Sequence, residues 1–213
     1  REIERLVARE GYQLRDFAVM YRTNAQSRAL EDALLRYGLR YKLVGGTRFY
    51  ERREVKDVLA YMRLMQNPDD GISLNRVVNV PPRGIGARTM AEIERLARQK
   101  NVSTIQAMRL AIGVGTEGGQ PALPLVAKVR NAIISFLGVL DSLLEARAEL
   151  GILALLDFLL ERTGYQTYLR DGTQEGEERW ENVQELRTVA REYEHLSPGA
   201  ALEAFLENVA LVS

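Results

Sequence analysis

Tyr21-Arg22-Thr23-Asn24 closes a short apolar run, DFAVMYR, and precedes a helical pattern. Where a strand of an open α/β sheet gives way to its helix, polar side chains face the crevice in which ligands bind. An arginine there presents a planar fork suited to phosphate oxygens, and a neighbouring tyrosine presents a flat face suited to a base. From spacing alone, Arg22 can equally be tied to a carboxylate at the sheet end.

A second stretch, VVNVPPRGIGARTM at residues 77–90, places two prolines, Arg83 and Gly84-Ile85-Gly86 directly before a helix. A Gly-apolar-Gly hairpin between two helices is expected to aim successive backbone N–H groups outward at a helix N-terminus, and such an end is a site for phosphate. Glycine would let a sugar-phosphate backbone approach closely, Ile85 would anchor the turn, and Pro81-Pro82 would stiffen it. Arg83 and Arg88 add charge, and Thr89 adds a hydroxyl. No side chain here is aimed at a base edge, so binding is expected to be independent of sequence. The plain alternative is a turn between helices. ERTGYQ, residues 161–166, offers a second hairpin with Thr163, Gly164 and Tyr165 in reach of phosphate or sugar, or else a helix-ending glycine.

Other chemistry lacks its residues. The sequence contains no GxxxxGK[ST] phosphate loop and no Asp-Glu pair closing an apolar strand, so the chain alone is not expected to hold Mg²⁺-ATP or to hydrolyse it. Without cysteine, and with His195 as the single histidine, neither a thiolate nucleophile nor a metal site is expected. GVGTEGGQP, residues 113–121, has no cation and reads as a flexible connection. Net charge is zero from 29 basic and 29 acidic residues, but its distribution is uneven. Arg76 to Arg109 carries seven basic and two acidic residues, whereas Asp141 to Glu194 carries six basic and thirteen acidic. The two regions are expected to face different partners or different solvent.

These residues need elements to hold them. At 213 residues and 46% hydrophobic content the chain can bury a core. No apolar run approaches the roughly 18 residues of a membrane helix, and the start, REIERLVARE, is too charged for a secretory signal, so a soluble, cytoplasmic protein is expected. Residues 1–10 read as the end of an amphipathic helix without a cap, as in an excised fragment. DFAVMYR, the helix bearing Leu30, Ala33, Leu34 and Tyr37, and YKLVG form one βαβ unit over residues 17–45, which would need strands from elsewhere to complete a sheet. Beyond Gly46 the periodicity is helical, with helices expected near 52–65, 73–79, 87–99, 103–111, 123–149, 151–162, 179–196 and 199–211. Trp180 is expected in the core and His195 on the surface. Gly45-Gly46 could hinge the two parts, while Arg48, Arg52, Arg53 and Lys56 either meet DNA or pair with Glu51, Glu54 and Asp57 on their own helix.

AVMYRTNAQSRALEDAL resembles motif IV of the UvrD/PcrA/Rep group of superfamily 1 DNA helicases. The likeness continues through LVGGTRFYERREVKDVLAYMRLMQNPDD and RVVNVPPRGIGARTM to ERTGYQTYL and RWENVQEL, covering essentially the whole chain. It implies a mainly α fold: a partial α/β RecA-like motor domain (2A) over residues 1–47, then the helical 2B subdomain over 48–213 with a helix-hairpin-helix-like element. It implies Tyr21 stacking on adenine and Arg22 meeting the γ-phosphate as an arginine finger. ATP and Mg would be bound mainly by parts of the parent enzyme that lie outside this chain. It also implies a duplex grip by the GIG segment, 3′ to 5′ polarity, and a nucleoid-associated role in repair or replication. Expected partners are double-stranded DNA, single/double-strand junctions, the remaining motor domains and accessory repair proteins. Two rival readings are a stand-alone helix-hairpin-helix DNA-binding module and a protein-interaction scaffold built on the acidic helices.

Overall fold

The structure is a computed structural model that describes residues 2–44 and 46–212. Its first part is thin. Helix α1 (Glu2–Glu10) buries no residue, and α2 (Ser27–Arg36) buries only Ser27 and Glu31. Neither segment expected as a strand is paired, and no strand is present among the described residues. The partial α/β fold class is therefore corrected to an all-helical one. A strand is a property of a pair, and neither segment finds a ladder partner here. None of their apolar side chains among the described residues is fully buried, and Met20 and Val44 are 93% and 83% exposed. Gly45, and with it the expected glycine-pair hinge, lies outside the described residues.

From Phe49 onward the chain builds a single core. Helix α3 (Arg53–Gln66) buries ten of its fourteen residues and packs against α4 (Gly71–Val77), α7 (Ala127–Glu149), α10 (Gln174–Arg191) and α11 (Pro198–Val212). Each fully buried leucine, valine or methionine on α3 contributes about 1.5–3 kcal/mol. Asn67-Pro68 stops α3. Asp70 then starts α4 by accepting from the Ile72 and Ser73 N–H groups, each at 3.1 Å. Helices α5 (Ala87–Lys100) and α6 (Thr104–Ala111) pack on each other, separated by Asn101 in the left-handed region. The glycine-rich loop is folded around Thr116, whose hydroxyl meets the Gly113 and Gln120 carbonyls. Helix α8 (Ile152–Thr163) and the short α9 (Tyr165–Leu169) complete the bundle. Trp180 packs half-buried against the core, and His195 is exposed.

Candidate nucleic-acid and nucleotide interface

The Gly-Ile-Gly turn is organised by Asn79. Its Oδ1 accepts from the backbone N–H groups of Arg83 at 2.7 Å, Gly84 at 2.9 Å and Ile85 at 3.3 Å. Those three N–H groups are satisfied within the turn, so the outward N–H groups expected of this hairpin are left to the start of the following helix. Gly84 has φ +84°, where a side chain is strained, and Ile85 is buried as the anchor.

The two arginines of the turn point opposite ways. Arg83 Nη1 donates toward the Val77, Val78 and Pro81 carbonyls at 3.1, 3.3 and 3.2 Å, and Nη2 donates to the Tyr61 hydroxyl at 2.8 Å. Its guanidinium also lies 5.4 Å from the Phe136 ring centroid. A cation at the C-terminal carbonyls of α4 is favourable for that helix, so Arg83 is a structural clamp. The Arg88 side chain is 94% exposed and has only Glu92, 3.5 Å away.

The start of α5 is uncapped. Gly86 supplies no side-chain hydrogen bond, and the first helical bond runs from the Met90 N–H to the Gly86 carbonyl. The N–H groups of Ala87, Arg88 and Thr89 therefore point off the helix end. Gly86 itself has φ −78° and ψ 168°, which any residue adopts, and a Cβ built there meets nothing within 4 Å. Neither backbone nor packing requires glycine at that position. The first turn holds no acidic residue, although the helix dipole favours one there. Thr89 is half-buried; Arg95, Arg98 and Lys100 are exposed and make no hydrogen bond or ion pair among the described residues.

The second glycine turn is closed. The Thr163 hydroxyl donates to the Leu159 carbonyl at 2.7 Å, and Gly164 takes the left-handed conformation that ends α8. Tyr165 is 1% exposed and donates to Asp57 Oδ2 at 2.9 Å. Burial, reinforced by Asp57, pushes its phenol far above the ordinary range. Asp57 also forms an ion pair with Arg76 Nε at 2.8 Å. Thr163 and Tyr165 therefore direct their polar atoms into the bundle, and a helix-ending glycine accounts for Gly164.

At the other end, Gln26 Oε1 accepts from the N–H groups of Arg22 at 2.9 Å and Thr23 at 3.3 Å, fixing the turn before α2. Tyr21 is half-buried, and Arg22 is exposed, its guanidinium making no hydrogen bond or ion pair among the described residues. Beneath this turn lies a polar cluster that motif reading does not reveal. Arg52, 7% exposed, donates to the Asn24 carbonyl at 2.8 Å, Asn182 Oδ1 at 2.7 Å and Ser27 Oγ at 2.7 Å. Asn182 Nδ2 donates to Glu54 Oε1 at 2.6 Å, and the Ser27 hydroxyl donates to Glu31 Oε1 at 2.7 Å. Burial pulls the Arg52 guanidinium below its ordinary value, opposed by Glu31 and Glu54. Of the four basic residues Arg48, Arg52, Arg53 and Lys56, Arg52 is thus buried and engaged with distant partners and forms no ion pair with its own neighbours. Arg53 meets the Tyr168 hydroxyl at 3.0 Å, and Arg48 and Lys56 are exposed. Glu54 on the apolar face of α3 and Asn182 beside Val183 and Leu186 on α10 were the available signals of a buried cluster.

Among the described residues, no group of three or more His, Cys, Asp or Glu could hold a metal ion. The described residues do not by themselves supply the ligands of a magnesium-nucleotide site. No described helix is long and apolar enough to cross a membrane.

The chain is 40% identical to the ATP-dependent DNA helicase PcrA of Bacillus subtilis (strain 168) over 201 residues, which is 94% of this chain and 26% of that protein. It is 36% identical over 208 residues to the ATP-dependent DNA helicase PcrA of Staphylococcus aureus (strain Mu50 / ATCC 700699), covering 96% of this chain and 27% of the relative. The chain thus spans about a quarter of the length of these curated relatives. The model of the UvrD-like helicase C-terminal domain matches residues 1–111, more than half of the sequence, and the chain belongs to that family.

Proposed function

We propose that this chain is the duplex-gripping and nucleotide-contacting portion of an ATP-dependent, 3′ to 5′ superfamily 1 DNA helicase. Residues 1–47 belong to its second motor domain and 48–213 to its helical subdomain. The observation that carries the reading is the start of α5: three outward N–H groups, an exposed Arg88 and a glycine that neither backbone nor packing requires. A phosphate backbone supplies the anion such an end lacks and the close approach a Cβ would obstruct. In this reading Gly86, Arg88 and Thr89 touch the duplex, Arg95, Arg98 and Lys100 extend its positive field, and Arg83, Gly84 and Ile85 shape the turn. Tyr21 and Arg22 meet a nucleotide held mainly by the other motor domain. The protein works in the cytoplasm on duplexes and junctions, with the remaining motor domains and accessory repair proteins as partners.

Fluorescence-anisotropy titrations of the full-length protein with duplex, junction and single-stranded DNA test the reading. Duplex and junction should bind more tightly than single strand, with steep salt dependence. An affinity unmoved by salt would favour the protein-scaffold reading instead. The isolated chain is expected to show no ATPase activity. In the full-length enzyme Arg22→Ala should lower turnover by about 10³-fold or more.

A further inference from the structure

The exposed Arg22 depends on a turn that has little support from its own helix, since α2 buries only Ser27 and Glu31. Support comes instead from the helical body. Asn24 and Ser27 flank Gln26, the residue that holds the Arg22 and Thr23 N–H groups, and both are gripped by one guanidinium rooted at the start of α3. The same guanidinium reaches α10 through Asn182. We propose that Arg52 is a positioning residue for Arg22: with Asn182 it fixes the arginine-bearing turn onto α3 and α10, so the placement of Arg22 depends on the seating of the helical subdomain. The proposal rests on the reading of Arg22 as a nucleotide contact.

The chemistry suits a geometric lock rather than an ion pair. No carboxylate lies within ion-pair distance of Arg52 among the described residues; Glu31 and Glu54 balance its charge one step away, through Ser27 and Asn182. A planar fork with three fixed acceptors defines one orientation, and lysine, a point donor on a flexible stem, cannot reproduce it. The node is also buried, so moving α10 away from the turn would strand polar atoms without partners. A second tie on the same face, Arg28 to Glu185 of α10 at 2.5 Å, holds α2 to the same helix.

The test is a double-mutant cycle in the full-length helicase with amide hydrogen exchange as a second readout. Arg52→Gln should lower kcat for DNA-stimulated ATP hydrolysis by about tenfold or more, because small misplacements of a catalytic group are costly, with KM for ATP and duplex affinity little changed. It should have no further effect in an Arg22→Ala background, and should speed exchange at the Arg22, Thr23 and Gln26 amides while sparing α5. Ser27→Ala removes one acceptor without removing the cation. It should move the same readouts less, and it replaces Arg52→Gln if that variant fails to fold. Normal kcat with unchanged exchange at these amides overturns the proposal, as does an independent, additive loss in the double mutant. Normal turnover in Arg22→Ala alone would remove Arg22 from the nucleotide site, and the exchange readout would still decide whether Arg52 holds the turn.

Discussion

Two glycine turns in this molecule join helices, and they place their polar groups in opposite directions. At Gly84-Ile85-Gly86 the turn opens a fourteen-residue helix whose first N–H groups and Arg88 face outward. At Gly164 the turn ends α8, and the hydroxyls of Thr163 and Tyr165 are satisfied by Leu159 and Asp57 inside the bundle. Residue type alone does not separate them. What separates them is whether each donor already has an internal partner: Asn79 and Arg83 close the inner half of the first turn and leave its outer half open. A candidate interface is what remains after the fold has satisfied its own groups.

The contrast can be broken most forcefully at Tyr165. Tyr165→Ala leaves a cavity and an underpaired Asp57, and should cost about 4 kcal/mol, read as a large drop in Tm. Duplex affinity of the folded fraction should not change; a specific loss of affinity with intact stability would return this turn to the interface. Asn79→Ala comes next. Losing the shared acceptor of three N–H groups should cost about 2 kcal/mol and disorder the Gly-Ile-Gly turn, lowering stability and duplex affinity together. Equal Tm in chemical or thermal melts would show that Asn79 is dispensable.

Smaller effects separate the two helix starts. Asp70→Ala should cost about 1 kcal/mol, because it removes the cap of α4. Burial pushes the Asp70 carboxyl up, but hydrogen bonds from the Ser73 hydroxyl and the Ser73 and Ile72 N–H groups outweigh this and hold it below the usual range. A depressed folded value means the contribution is present above the unfolded pKa, about 3.9, and is lost as pH falls through the folded value. The Tm gap between wild type and Asp70→Ala should therefore be full at neutral pH and narrow in strong acid. Gly86→Ser should have the smallest effect on stability, a gain of a few tenths of a kcal/mol from a new N-cap. Its hydroxyl would take an N–H meant for phosphate, so duplex binding should weaken while Tm holds or rises. Unchanged binding would mean that the end of α5 is not used.

The helical body was legible because Val55, Val58, Leu59 and Met62 repeat at helical spacing and the fold buries that face. The first part was not. DFAVMYR shows an apolar run, but pairing is decided by neighbours that a local pattern does not contain, and Val19 and Met20 are exposed. Arg83 and Arg88 looked alike for a similar reason. Arg83 lies in a non-helical turn, where periodicity assigns no face, and only the α4 carbonyls beneath it reveal its role. Arg52 was ambiguous because its acceptors, Asn24, Ser27 and Asn182, come from distant parts of the chain.

The central claim, that the open start of α5 grips duplex phosphate, is tested most directly through Arg88. In the full-length protein, duplex affinity would be measured by anisotropy across a salt series for wild type and Arg88→Ala, with Tm as the control. Arg88 is exposed, so stability should change by no more than about 0.5 kcal/mol. Affinity should fall about equally for unrelated duplex sequences, and the slope of log K against log salt should shrink by about 0.9 for the one contact removed. An unchanged affinity with an unchanged slope would contradict the claim and leave this segment a turn between two helices.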